Sequence, residues 1–306
     1  MPKILCVLGA FAVIIFSKRS GGPVQKISST SKTGLVLSSG FFGFFAHAGF
    51  LAAIRELGLV PAAYSGASSG AIVAAMAAAG MSDQAIIDML LSIKKQDFWD
   101  PDPWYNMLKK ASQLFRGYTG YLNGSGFGRL LQALPVKRIE GCKTPLIIAA
   151  TDLTEKKEKL FKKGDMVKAL QASGAVPMLF KPVKIKGSLY VDGGIVNKAP
   201  VMALADLGGL KRIIVHLVAS GNMEEQGDTF LKKKYAPLHI HHLAVNIARS
   251  EAYEQQVKMV KMMGIEVKEV KSAAPAVGPD SLEMGKIAYE TAKRNSLRIL
   301  KELEGV

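Results

Sequence analysis

The amino-acid sequence predicts an α/β protein with a mainly parallel central sheet and helices on both faces. Between Thr33 and Gly80, short apolar strands alternate with helical patterns in the order strand, helix, strand, helix, which implies parallel strands with helices packed on the faces. Glycine-containing turns follow both strands, at the carboxyl ends where α/β proteins build their sites. The 306 residues, 49% hydrophobic and 21% charged, suffice for a sizeable core and exclude a disordered, collagen-like, coiled-coil or low-complexity chain.

The first 33 residues stand apart. Ile4 to Phe16 is an uninterrupted apolar run, preceded by Lys3, followed by Lys18, Arg19, Lys26 and Lys32, with no acidic residue among them. A bilayer-spanning helix needs about 20 apolar residues, so this shorter run suits a signal h-region or a shallow anchor. A strand or helix folded into the domain is the alternative reading of so short a run. No A-x-A cleavage pattern follows it, and Ser20 to Lys32 reads as a linker. Membrane association through this segment is expected. The basic residues behind it keep the rest of the chain cytoplasmic if it is an anchor, whereas a signal role exports it.

Gly34 to Ser38 forms the first strand and Ser39 to Gly43 a turn. Phe44 to Leu57 is a helix with Ala48, Leu51, Ala52 and Leu57 on one side and Arg55 and Glu56 on the other, ended by Gly58. Pro61 to Ser65 is a second strand running into Gly66-Ala-Ser-Ser-Gly70, and Ala71 to Ala79 is a closely packed helix closed by Gly80. Later strands are read at Leu189 to Asp192 and Arg212 to Val218. Gly221 to Asp228 is a polar loop, Lys232 to Lys234 a solvated basic run, and Asp280 to Glu304 a closing helix with Ile287, Ala288, Ala292, Leu297, Leu300 and Leu303 apolar.

Gly66 to Gly70 is a G-x-S-x-G match between strand and helix. Its flanking glycines, Gly66 and Gly70, permit the sharp turn that exposes a serine oxygen, and the helix start supplies amide donors. Ser68 is therefore the candidate nucleophile, although a plain tight turn in an Ala/Gly-rich stretch reads the same way. For its base, His241 or His242 would fit a Ser-Asp-His order. His47 lies in the first helix and His216 in an apolar strand. The competing base is Asp192, at a strand end before Gly193 and Gly194. An unperturbed carboxyl near 4 is a weak base unless burial raises it, and an ordinary Asp-Gly turn is the bland reading of these residues. Two cysteines, Cys6 and Cys142, provide neither a disulfide framework nor a zinc site.

These residues together resemble the patatin-like phospholipase family, over roughly Thr33 to Val218. Gly34 to Leu57, the elbow at Gly66 to Gly80 and Ala169 to Pro200 match in order. Ala150 to Thr154, Ala172 to Phe180, Asn197 and Pro200 support the match. The resemblance implies a three-layer α/β/α fold and a lipid acyl hydrolase using a Ser68–Asp192 dyad without histidine, cofactor or metal. It also implies a catalytic domain over 33–220, preceded by the anchor or signal segment and linker at 1–32, with 221–306 as a helical extension completing the same domain.

The chain departs from the family at the first turn. Three glycines expected there fall on Ser39, Gly40 and Phe41, the usual arginine on Gly43 and a further glycine on Phe44. Backbone amides of Gly40, Phe41 and Phe42 remain as the oxyanion hole, since such a hole needs N–H groups and not glycine itself. Phe41, Phe42, Phe44 and Phe45 are read as an acyl-chain pocket or bilayer-facing rim, with Phe44 and Phe45, in the helix, favoured as core.

Between elbow and aspartate, Phe98, Trp99, Trp104, Tyr105, Phe115, Tyr118 and Tyr121 gather with Lys109, Lys110 and Arg116. They read as an interfacial lid, equally as a platform for stacking nucleotides, or as a small helical subdomain with its own core.

Three function classes stay open: a serine lipid hydrolase, an acyltransferase-type enzyme, and a catalytically silent lipid-binding relative permitted by the altered turn. The acyltransferase type usually carries histidine beside its nucleophile, where this chain has Ala67 and Ser69. The 40 Lys+Arg against 25 Asp+Glu, a net +15, favour an anionic partner. With no nucleic-acid motif in the chain and an implied esterase, the expected partners are a lipid or phospholipid substrate and an anionic membrane surface, not nucleic acid.

Overall fold

The computed structural model describes residues 32–103, 105, 118–218 and 236–305. The apolar run Ile4–Phe16, the aromatic and basic residues Trp104, Lys109, Lys110, Phe115 and Arg116, and the Lys232–Lys234 run lie outside them.

Five strands form the parallel part of one sheet, in the order β10-β9-β1-β2-β4: β1 (Thr33–Leu37), β2 (Ala63–Ala67), β4 (Leu146–Asp152), β9 (Arg212–Val218) and β10 (Glu266–Ser272). Three antiparallel strands complete it: β5 (Lys157–Phe161), β7 (Val183–Ile185) and β8 (Ser188–Asp192). A separate two-stranded pair joins β3 (Gly120–Leu122) to β6 (Met178–Phe180).

Strand side chains alternate between faces, so the sheet carries two cores. Leu35, Leu37, Tyr64, Ile148 and Ile214 face helices α1 (Phe44–Glu56), α2 (Ser69–Ala78), α3 (Asp83–Leu91), α6 (Met166–Ser173) and α9 (Gly285–Glu304). Val36, Ala63, Ile147, Ile213 and Val215 face α7 (Val201–Ala205) and the long α8 (Ala236–Met262), which lays Tyr253, Val257 and Val260 on the sheet. Two short helices, α4 (Lys95–Phe98) and α5 (Ser125–Leu131), pack on each other beside β3. This is a three-layer α/β/α fold with a mainly parallel sheet. The expected elements at 33–80, at Leu189–Asp192 and at Arg212–Val218 are all present within a few residues. The helix at 236–262 falls in the expected helical extension, though its bounds were not read from the sequence, and the strand at 266–272 within that extension was not anticipated.

The register around β4 positions the site. Residues Ile148 and Ala149 pair with β2 on one side and β5 on the other, while Ala150, Thr151 and Asp152 pair with β5 and β8. Each strand residue has only two lateral neighbours, so β2 and β8 lie on the same side of β4 and approach each other head-on. Ala67 ends β2 beside Ala149, and Asp192 ends β8 beside Ala150. The residues following Ala67 and the side chain of Asp192 are therefore brought to one point by sheet pairing.

Two glycines permit this junction. A Cβ on Gly70 would overlap the carbonyl oxygens of Leu37 and Ser38, so only glycine lets α2 start against the end of β1. At Gly193 a Cβ would overlap the Ala149 carbonyl. Gly70→Ala is expected to cost about 2 kcal/mol or more in urea unfolding, because the obstacle is backbone. Gly278→Ala, whose Cβ would meet only Ser281 Oγ at 3.6 Å, is expected to stay within about 0.5 kcal/mol.

Candidate active site

Ser68 caps the amino end of α2 with φ 53° and ψ −125°, outside the regions an ordinary residue occupies. Such a conformation costs on the order of 1–3 kcal/mol and persists only where its surroundings enforce it. The enforcement is visible in its contacts: the Ser68 amide donates to Ser173 Oγ at 2.8 Å, and Ser69 Oγ donates to the Gly40 carbonyl at 2.5 Å. Gly66 and Gly70 flank the turn as the motif requires.

Asp192 is buried, at 5% exposure. Its carboxylate accepts a hydrogen bond from the Gly194 amide at 2.7 Å and faces the Ser68 side chain. Burial pushes its pKa up to about 6, against the opposing effects of Ser68, of the Gly194 amide and of the Arg249 charge. The strand end is clamped on both flanks. The Asp192 amide donates to the Ala175 carbonyl at 2.9 Å, and its carbonyl accepts from Thr151 Oγ1 at 2.8 Å. Residues 173–175 thus hold Ser68 through a side chain and Asp192 through a carbonyl.

The first turn carries the three amides expected as donors. Gly43 N–H closes the turn onto the Gly40 carbonyl at 2.8 Å, and Phe42 sits at φ 52°. The amides of Gly40, Phe41 and Phe42 have no hydrogen-bond partner among the described residues. Phe41 and Phe42 line the same cavity as Ser68. That cavity is apolar, about 870 Å³ of non-atom space with its open mouth included, and runs from Ser68 past Phe44, Ile72 and Met76 to Phe98, Trp99 and Phe180. Phe41 stands at the mouth, 48% exposed, edge-on to Phe42 with ring centroids 4.8 Å apart. Phe45 is core as expected, and Phe44 both packs against the core and lines the cavity, so the two readings offered for it meet in one residue. Helical periodicity marks an inward face and does not distinguish a filled interior from a cavity wall. Phe98 and Trp99, from the aromatic stretch, line the same cavity.

The histidines group elsewhere. His47 Nε2 reaches the Ser38 carbonyl at 2.8 Å, which can only accept, so His47 carries its proton there. His47 Nδ1 must then accept from His216 Nδ1 at 2.7 Å, and His216 Nε2 accepts from Ser272 Oγ at 2.6 Å. Both rings are neutral in this chain of bonds, and burial holds His47 down to about 3 and His216 well below the usual range. The pair braces the base of the first turn. Residues 239, 241 and 242 fall in the first two turns of α8, with side chains outside the described set.

Sequence reasoning missed three contributors. Ser173 lay inside a recognised stretch without a role. Ser39 was noted only as a lost glycine. Arg249 carried no local signal at all, and its guanidinium donates to Ser39 Oγ at 3.0 Å and to the Gly194 carbonyl at 3.1 Å. Asn197, which supported the resemblance, is buried and bonds Glu158, Gln256 and the Ala199 amide, while the Pro200 carbonyl accepts from Ser65.

A serine held on a strained strand-to-helix turn over a three-layer sheet puts the chain among the α/β proteins with a nucleophile elbow. Within that class it belongs to the patatin-like phospholipase family, whose model, described as Patatin-like phospholipase, matches residues 35–205. An uncharacterized NTE family protein of Mycobacterium tuberculosis (strain ATCC 25618 / H37Rv) is 28% identical over 200 residues, covering 63% of this chain and 51% of that protein. The lysophospholipase NTE1 of Candida glabrata is 27% identical over 186 residues, covering 60% of this chain and 10% of the fungal protein. The chain thus spans about half the length of its mycobacterial relatives. Among solved structures, VipD from Legionella pneumophila aligns over 94% of this chain and 72% of its own, with a TM-score of 0.46 and 15% identity.

The buried carboxylate has a thermodynamic signature. The folded protein holds the Asp192 proton up to about pH 6, whereas the unfolded chain releases it near 3.8. Across that window the folded state binds more protons, so stability falls as pH rises and the deficit is complete above about 6. Asp192→Asn is expected to raise unfolding stability at pH 8 by about 2 to 3 kcal/mol, with the gain vanishing toward pH 4. Urea titrations of both proteins at the two pH values measure it.

Proposed function

We propose that the chain is a serine lipid acyl hydrolase, cleaving carboxylic esters of lipids through a Ser68–Asp192 dyad and an acyl-enzyme. The observation that carries this reading is Ser68, held on a strained elbow, facing a buried carboxylate raised to about 6, beside an apolar cavity. A base poised there is ionised at neutral pH yet basic enough to take a serine proton in the transition state. Family membership supports the same chemistry, as does the lysophospholipase name of the fungal relative.

In this mechanism the acyl chain lies along Phe44, Ile72 and Met76, which brings the ester carbonyl to Ser68. Ser68 Oγ attacks the carbonyl carbon as its proton passes to Asp192. The developing oxyanion is held by the amides of Gly40, Phe41 and Phe42, which have no hydrogen-bond partner among the described residues. Collapse breaks the ester C–O bond, and the leaving alkoxide takes the proton from Asp192. Water then attacks the acyl-enzyme, giving its proton to Asp192, and the fatty acid leaves as Ser68 Oγ recovers that proton. His47 and His216 are committed to each other, which supports a dyad without histidine.

A lipid surface is the matching location. The net +15 favours anionic lipid, and Phe41 presents an exposed ring at the cavity mouth. Membrane association through the N-terminal segment belongs to this proposal.

Ser68→Ala is expected to abolish both hydrolysis of a p-nitrophenyl butyrate and covalent labelling by a fluorophosphonate, while the double change of His241 and His242 to Ala leaves both largely intact. An essential histidine pair would replace the dyad with a triad. Ile72→Phe narrows the cavity and is expected to lower the laurate-to-butyrate rate ratio by about 10-fold.

A further inference from the structure

Arg249 is the one described cation whose charge acts on Asp192, and it comes from α8, beyond the stretch that carries the family resemblance. The helix α8 carries it over the sheet so that Nη1 bridges two turns. One is the first turn, through Ser39 Oγ at 3.0 Å; the other is the aspartate turn, through the Gly194 carbonyl at 3.1 Å. The same two turns meet again through the Ser39 amide, which donates to the Lys198 carbonyl at 2.8 Å. They are in close contact at Gly194, where a Cβ would lie 2.5 Å from Ser39 Oγ and 2.9 Å from Asp192 Oδ1. Gly194 is therefore held at both ends, its amide on the Asp192 carboxylate and its carbonyl on Arg249.

Burial lowers the pKa of Arg249, and Asp192 is the charge that counters this. Its Nε is buried without a hydrogen-bond partner. Burying a strongly solvated cation so incompletely is unfavourable, and a residue serving only to pack α8 on the sheet gains nothing from the charge. The first turn itself carries no cation, and at Gly43 a Cβ would press on the Gly40 carbonyl at 3.0 Å and Val218 Cγ1 at 3.1 Å.

We propose that Arg249 is a positioning residue for the hydrolysis, locking the donor turn of Gly40 to Phe42 against the aspartate turn and holding a positive charge beside Asp192. It touches neither substrate nor reacting atoms. This inference rests on the dyad reading above. The groups facing Asp192 are the Ser68 hydroxyl from the elbow, the Gly194 amide from its own turn and Arg249 from α8. Removal of Arg249 therefore withdraws the one charge that favours the ionised base, and the base becomes harder to ionise.

The test compares Arg249→Gln, Arg249→Lys and Ser39→Ala in the full chain, using hydrolysis of p-nitrophenyl butyrate across pH 4.5–9. A parallel ¹³C NMR titration of the Asp192 carboxyl, assigned with Asp192→Asn, needs no activity. Arg249→Gln is expected to lower kcat by about 10- to 100-fold, since misplacement of reacting groups has effects of that order, and to move the acid limb and the carboxyl titration to higher pH. Arg249→Lys and Ser39→Ala keep the charge. Both are expected to lose kcat while leaving the limb and the carboxyl titration where the wild type has them, which also serves if the Gln variant fails to fold. Unchanged kcat and pH limb in a folded Arg249→Gln overturn the proposal. So does a limb that moves equally in the Lys and Ser39 variants, which marks a structural brace without a charge effect. Ser68→Ala separates the two readings: retained hydrolysis there refutes the dyad, whereas lost hydrolysis with an indifferent Arg249 refutes only this inference.

Discussion

The site depends on two strands that meet head-on along one side of β4. The ladder places Ala67 beside Ala149 and Asp192 beside Ala150, so the serine turn after β2 and the aspartate ending β8 share one point without any long side chain reaching for it. Strand register is strongly specified in a buried sheet because a one-residue slip sends every side chain to the opposite face. Here such a slip would also turn Asp192 away from Ser68. The remaining features secure this junction: glycines at 70 and 193 let the chains approach, residues 173–175 clamp both partners, and the neutral His47–His216 pair fixes the base of the donor turn.

The same junction sets stability against chemistry. Asp192 is raised to about 6 because it is buried, and that burial is unfavourable to the ionised form which a general base requires at neutral pH. Ser68 adds a strained backbone. Proteins commonly place strain and unfavourable charge at functional positions and offset them by packing elsewhere. In this chain the offset comes from the two cores on either side of the sheet, where Leu35, Leu37 and Val36 of β1 alone contribute to both faces.

Much of this was legible in the sequence where local pattern carries the information. Apolar strands ending on glycine turns revealed β1 and β2, and the G-x-S-x-G spacing singled out Ser68, whereas Asp-Gly-Gly by itself read as an ordinary turn and Asp192 was singled out through the family resemblance. The elements whose bounds were not read lack those signals. The strand β10, reading Glu-Val-Lys-Glu-Val-Lys-Ser, lies at the sheet edge, where charged residues blunt further pairing, and its alternation is short and polar. The helix α8 lays Tyr253, Val257 and Val260 on the sheet while Ile240, Ile247, Met259 and Met262 stay exposed, so its apolar residues do not gather on one face and its period is weak. Ser173 and Arg249 act over separations of 105 and 210 residues, and no local pattern encodes a contact made by the tertiary fold. Phe44 shows the reverse limit, because an inward-facing position on a helix was readable and whether it met core or cavity was not.

The central claim is that Asp192, raised by burial, is the base that activates Ser68. The most direct measurement is the pH dependence of the rate at which a fluorophosphonate modifies Ser68, in the wild-type chain and in Asp192→Asn. The account predicts a single ionisation near pH 6, with the rate rising to a plateau above it, and in Asp192→Asn a rate at least about 100-fold lower with no such limb. A limb that persists in Asp192→Asn, or a wild-type rate that does not respond to pH between 5 and 8, would contradict it.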